Sequence, residues 1–201
     1  MLLASDSFAG GADQDLVSYN SAWAYEIVTN GGDGILVNSS GAHPNVLSGV
    51  GTVVAKYSTV TFPNDQWTQF TLSDRGTGQN DYIGLALRVG GTATTAYYLI
   101  FSTVNDPTNY YDMRVYSGGT GTSLIGGIQT GLTWNNGDVM YFSVQGTTLN
   151  FYQNGILRKT ATDATLTSGR AGISATQGAK VSPLATMWSA GDFNSVIAWT
   201  V

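Results

Sequence analysis

The stretch Val139-Met140-Tyr141-Phe142-Ser143-Val144-Gln145-Gly146-Thr147-Thr148-Leu149-Asn150-Phe151-Tyr152-Gln153-Asn154-Gly155-Ile156-Leu157-Arg158-Lys159-Thr160 decides the fold class. Met140, Phe142 and Val144 fall on one side of an extended chain, and Val139, Tyr141 and Ser143 on the other. After a turn at Gln145-Gly146-Thr147, Leu149 and Phe151 share one side, Asn150 and Tyr152 the other. Asn154-Gly155 is a hairpin signal, because both residues tolerate the positive φ of a type I′ turn. Ile156–Thr160 then returns, which completes a three-strand meander.

The same period of two runs outward through the chain. Tyr82–Arg88 places Ile83, Leu85 and Leu87 on one face, with Gly84, Ala86 and Arg88 opposite. Ala96–Phe101 is apolar or aromatic on both faces. Tyr110–Tyr116 sets Tyr111, Met113 and Val115 inward and Asp112, Arg114 and Tyr116 outward. Further strands are predicted at Ala22–Ile27, Ile35–Val37, Val53–Tyr57, Gln66–Leu72, Ser123–Ile128, Arg170–Ser174 and Leu184–Phe193. Val89–Thr95 and Ser117–Thr122 are glycine-rich and read as mobile loops. No helical stripe exceeds two turns. So many short strands must bury one face each against another sheet. The prediction is an all-β, two-sheet antiparallel sandwich over residues 1–193, with a C-terminal tail strand at 194–201.

Composition narrows the function. The chain has 201 residues, of which 10% are charged, 26 glycines, no cysteine and a net charge of −5. An average domain is about 25% charged, so this surface is polar without being ionic. Disulfides, thiolate metal sites and cysteine nucleophiles are excluded. With Lys and Arg totalling eight, there is no basic patch to meet a phosphate backbone, so nucleic acid is not an expected partner. No run reaches the ~20 apolar residues of a membrane span. The start Met1-Leu2-Leu3-Ala4-Ser5 has no export signal. The expected location is extracellular, with a signal removed, or a virion surface reached without one.

The order of the pieces resembles the concanavalin A-like lectin/glucanase superfamily, in particular its laminin-G-like jelly-roll modules. The resemblance covers residues 6–193. It is carried by Asp6-x-Phe8 before Trp23, then Gln69-Phe70-Thr71-Leu72, then Gly84-Leu85-x-Leu87-Arg88. Tyr97-Tyr98-Leu99-Ile100 follows, then the meander, Ser168-Gly169-Arg170-Ala171-Gly172-Ile173, and the closing Asp192-Phe193. It implies that the first and last strands pair and that one sheet is concave and holds ligand. Glycosidases of the superfamily carry a Glu-x-Asp-x-x-Glu or similar strand. This chain has Glu26 as its one glutamate and no such strand. The related lyases use Arg/Gln-His/Tyr-Lys sets, whereas the single histidine, His43, falls in Gly41–Asn45, read as a loop.

Catalytic residues are therefore not assigned. A carboxylate pair must stand about 5–9.5 Å apart, but the acids are scattered in turn contexts. A Ser-His-Asp triad lacks its Gly-x-Ser-x-Gly elbow. Arg88, Tyr98, Asp112, Arg114 and Tyr116 form the candidate ligand face, since guanidinium, carboxylate and phenol groups match the hydroxyls and apolar patches of sugars. The competing reading is an Arg–Asp pair that shields the sheet among strand-forming tyrosines. Trp67 and Trp134 are either stacking platforms or plugs at the sandwich edge. Calcium is the candidate ion, with Asp6, Asp33 and Asp192 as its ligands; those acids would otherwise cap turns. In the tail, Ile197, Trp199 and Val201 form an apolar row suited to assembly with further copies or with virion subunits. The reading is a non-catalytic carbohydrate-binding module whose partner is a glycan or cell-surface polysaccharide. The alternatives are a capsid decoration or fibre protein that uses the sandwich as scaffold, and a divergent polysaccharide hydrolase or lyase.

Overall fold

The computed structural model describes residues 1–29, 34–45, 51–74, 82–90, 94–102, 109–176 and 184–193. In chain order its elements are β1 (Leu2–Asp6), β2 (Gln14–Asp15), α1 (Leu16–Tyr19), β3 (Trp23–Val28), β4 (Ile35–Asn38), β5 (Gly41–Pro44) and β6 (Thr52–Tyr57). They continue with β7 (Gln66–Asp74), β8 (Tyr82–Val89), β9 (Ala96–Ser102), β10 (Tyr110–Ser117), β11 (Thr120–Ser123) and β12 (Gln129–Thr130). The last are β13 (Val139–Gln145), β14 (Thr148–Gln153), β15 (Ile156–Thr162), β16 (Arg170–Thr176) and β17 (Leu184–Asp192). Two antiparallel sheets result. One runs β15-β14-β13-β7-β17-β5-β4-β2, with β1 also on β17. The other runs β11-β10-β9-β8-β16-β6-β3, with β12 also on β10. This is the predicted sandwich, and the first and last strands do pair, Asp6 opposite Trp188.

The core is the layer between the sheets. Phe70, Met140, Phe142, Val144, Leu149 and Phe151 from one sheet meet Leu85, Leu87, Leu99, Phe101, Met113 and Ile173 from the other. Each of these positions obeys the alternation of its strand. Trp134 is fully buried in the same layer, edge-on to Phe101 with ring centroids 5.4 Å apart. Trp67 lies outside the layer but is only 5% exposed, stacked on Tyr141 at 5.7 Å. Both tryptophans are plugs. At the other end Trp23 packs against Tyr57 and Trp188.

Four expectations change. Ser123–Ile128 is not a strand: Gly118 and Gly119 both have positive φ and make a two-residue turn, so the strand is Thr120–Ser123 paired with β10. For the same reason Ser117–Thr122 is a tight hairpin between paired strands, not an open loop. His43 stands on β5, opposite Leu36, not in a loop. The fourth change concerns Arg88, which alternation places outward beside Ala86. Arg88 has φ +48°, and the pairing of β8 with β16 slips there, so that Arg170 faces Val89 while Gly172 faces Ala86. The slip is a β-bulge. It turns Val89 outward and Arg88 inward, where Arg88 is 3% exposed.

The buried guanidinium joins three loops. Nε donates to Asn64 O at 3.0 Å, Nη1 to Leu166 O at 2.6 Å and Nη2 to Gly146 O at 2.8 Å. Asp65 lies 3.7 Å away, and the Tyr97 ring faces the charge at 6.0 Å. Gly169 must be glycine, because a Cβ there, at φ +141°, would collide with the Arg88 backbone. The adjoining loop is latched by Tyr97. Its hydroxyl donates to Asp163 Oδ1 at 2.6 Å and accepts from Leu166 N at 2.9 Å. Burial, and then the Asp163 bond, push the Tyr97 hydroxyl up to about 12. Burial raises the Asp163 carboxyl, but the bonds from Tyr97 and Thr165 outweigh it and leave it below the ordinary carboxylate value.

Arg88→Ala strands three carbonyls and is expected to cost about 3 kcal/mol or more in urea unfolding. Arg88→Lys is not expected to rescue it, since one ammonium cannot span the same fork of acceptors. For Asp163 the folded pKa lies below the unfolded one, so its contribution is present above about pH 4 and is lost as pH falls through the lower, folded value. Urea midpoints measured down the acid limb should therefore fall less steeply for Asp163→Asn than for the native chain.

Candidate functional site

The outer face of the β11–β3 sheet carries its own small apolar cluster. Ile27, Val54, Ala86, Val89, Ala96, Tyr98 and Ile100 are buried there, with Tyr116 packed against them. Val89 belongs to this group because of the bulge at Arg88. The floor is made of small residues. Gly84 leaves room for Ser174, whose hydroxyl reaches over it to Leu99 O at 3.4 Å.

Beside this cluster lies a cavity of about 370 Å³, lined among the described residues by Thr29, Thr52, Tyr98, Arg114, Tyr116, Gly119, Thr120 and Gly121. Its volume falls in the usual range for small-molecule sites, about 300–1,000 Å³. Thr29 and Thr52 belong to the β3/β6 side of the sheet, and the other residues to β9, β10, β11 and the turn between the last two. One cavity can touch both sides only if the sheet curls toward it, so this face is concave.

Arg114 and Tyr98 are direct cross-strand partners. Burial pushes the Tyr98 hydroxyl up, and the neighbouring Arg114 charge partly offsets this. Asp112, 1% exposed, lies one step along the same face of β10. Its Oδ2 is 3.0 Å from Arg114 Nε, and its Oδ1 accepts from Ser123 Oγ at 2.6 Å. Burial raises the Asp112 carboxyl, opposed by Ser123 and Arg114. Arg114 keeps a third of its side chain exposed, 34%, toward the cavity it lines. Gly121 must be small, because a Cβ there would collide with the Tyr98 hydroxyl. On the far rim, Thr52 N donates to Thr29 Oγ1 at 3.0 Å, and Thr52 Oγ1 pairs with Thr176 Oγ1 at 3.1 Å.

Of the residues expected on the ligand face, Tyr98, Asp112, Arg114 and Tyr116 come together. Arg88 does not; the bulge sends it to the opposite side of the sheet. Asp112 is beneath the site and does not line it. Thr29, Thr52 and Thr120 carry no local mark: the curl of the sheet brings Thr29 and Thr52 across to the cavity, and the Gly118-Gly119 hairpin brings Thr120 beside β10. The second expected grouping separates. Asp6 pairs at Trp188 while Asp192 bonds to Met1, so they stand at opposite ends of the β1–β17 ladder. Four residues of strand separate them, about 14 Å, too far to share an ion. Asp6 accepts from Phe8 N, Tyr19 Oη, Asn20 Nδ2 and Trp23 Nε1, so both its oxygens are occupied. Asp33, Ile197, Trp199 and Val201 lie outside the described residues. Among the described residues no group of three or more acids and histidines could hold a metal ion. No helix among them is long and apolar enough to cross a membrane.

No family model and no curated protein matches the sequence. Among solved structures the chain is similar to carbohydrate-binding module CBM66 from Bacillus subtilis, with TM-score 0.59, 12% identity and coverage of 85% of this chain and 96% of that one. It is similar to the Bacillus licheniformis beta-glucanase, with TM-score 0.56, 13% identity and coverage of 91% and 98%. It is also similar to the exoplasmic/lumenal domain of VIP36 in its Ca2+-bound form, with TM-score 0.57, 13% identity and coverage of 99% and 93%. A binding module, an enzyme and a lumenal domain thus share the scaffold, which separates fold from activity. The fold is a concanavalin-like jelly roll, as in these structures.

Proposed function

We propose that the chain is a non-catalytic carbohydrate-binding module whose ligand occupies the concave-face cavity. The observation that carries this reading is the lining itself: one guanidinium, two phenols and three threonine hydroxyls, with no carboxylate among the described residues. Sugars present hydroxyls on an apolar ring. Tyrosine supplies flat apolar area with a polar tip, and threonine and arginine supply acceptors and donors. Glycoside hydrolysis by the usual route needs two carboxyl groups flanking the scissile bond. Asp112 lies buried under Arg114 and is not open to a substrate. The carbohydrate-binding module among the structural neighbours supports the same reading.

The test is a glycan array with the native chain, followed by calorimetry on any hit. Arg114→Ala and Tyr116→Ala are expected to weaken binding by about tenfold or more each, the loss of roughly one charged hydrogen bond or one ring contact. Gly121→Val is expected to abolish binding by driving Tyr98 into the cavity. All three should retain the β-type circular dichroism of the native chain. Release of reducing ends from a polysaccharide panel would overturn the non-catalytic reading.

A further inference from the structure

We propose that this cavity selects uncharged saccharides over acidic ones, because Asp112 cancels the charge of Arg114 from beneath. The inference rests on the carbohydrate reading of the same cavity and adds the class of sugar. An arginine on a cavity wall is ordinarily a receiver for carboxylate or sulfate, which it grips with two parallel N–H groups. Here Asp112 Oδ2 stands 3.0 Å from the buried Nε of Arg114, close enough to offset the guanidinium charge although the Nε–H is not aligned on it. Asp112 is fixed in turn by Ser123 at 2.6 Å, and Ser123 Oγ accepts from Gly127 N at 2.8 Å. The carboxylate cannot swing away to release the guanidinium. Arg114 is the one cation in the lining among the described residues.

A second cation on the same sheet face is neutralised the same way. Lys56 Nζ meets Glu26 Oε2 at 2.6 Å, and Gly90 approaches both so closely that a Cβ would touch them. An incoming uronate or sulfate would therefore lose its hydration and meet donors whose charge is already offset, gaining no uncompensated cation. The net charge of −5 adds long-range repulsion of polyanions. An uncharged sugar loses little on entry and still meets the donor groups of Arg114 and the hydroxyls of the wall.

Calorimetry decides it, with a glucose-only and a glucuronate-containing oligosaccharide of equal length added to the native chain, alongside neutral and acidic glycans on the array. The neutral class is expected to bind at least about tenfold more tightly, with less than about twofold change between roughly 50 and 500 mM NaCl. Asp112→Asn, of the same shape but without the charge, is expected to shift the neutral-to-acidic ratio toward the acidic sugar by about tenfold. Preference of the native chain for acidic glycans would overturn the inference and leave the carbohydrate reading standing. An unchanged ratio in a folded Asp112→Asn would overturn it too. Absence of binding to any glycan would remove the carbohydrate reading and the inference with it. If Asp112→Asn fails to fold, the native comparison and its salt dependence decide alone.

Discussion

A guanidinium buried at one end of the sandwich holds together what the apolar layer cannot. Phe, Leu, Met and Val side chains seal the space between the sheets without direction. They do not fix where the connecting loops cross the open end. Arg88 does, by donating to carbonyls of three separate loops, at Asn64, Gly146 and Leu166. Burying that charge is tolerable because each of the three guanidinium nitrogens finds a carbonyl acceptor and Tyr97 offers its ring face. The position costs backbone strain, φ +48° in a non-glycine residue. The strained turn is also what reverses the alternation, so one bulge serves both faces of the sheet. It brings the arginine in, and it sends Val89 out to complete the cluster against which Tyr98 and Tyr116 pack.

The cavity follows from that outer cluster and from the curl of the sheet. Small residues in the middle strands, Gly84, Ala86, Gly172 and Ser174, let the face bend inward, while larger side chains stand toward the sides. Threonines from one side then share a cavity with tyrosines and an arginine from the other. The resulting wall is polar but nearly uncharged, in keeping with a chain that is only 10% charged.

The buried carboxylates among the described residues share one role. Asp6 accepts from four donors. Asp138 accepts from Asn135 N, Gln153 Nε2 and Asn154 Nδ2. Asp112 is bounded by Ser123 and Arg114. Each is an acceptor that pins backbone or aromatic groups, as the cost of burying a charge requires. Acids used in this way have their oxygens taken up by protein donors. A fold shared with a glucanase thus carries its buried acids here in structural positions.

Most of the strand set is legible in the sequence, because a one-sided strand must alternate and the core rows, Met140-Phe142-Val144 and Tyr111-Met113-Val115, do so without interruption. The outward placement of Asp112, Arg114 and Tyr116 follows from the same rule. What alternation cannot register is an inserted residue or a turn that shifts the frame. Arg88 crosses to the other face at a bulge, and the Gly118-Gly119 turn moves the next strand back by three residues. Nor can a local pattern report which distant strands share a curl, so Thr29 and Thr52 carried no mark. Asp6 and Asp192 look equivalent in their Asp-Phe contexts, yet antiparallel pairing sends them to opposite ends of one ladder. The sequence by itself determined the two-sheet architecture and the scarcity of charged side chains, since both follow from residue type and local period. Only the tertiary structure decided which arginine is core and which lines the cavity, because that depends on register between strands far apart in the chain.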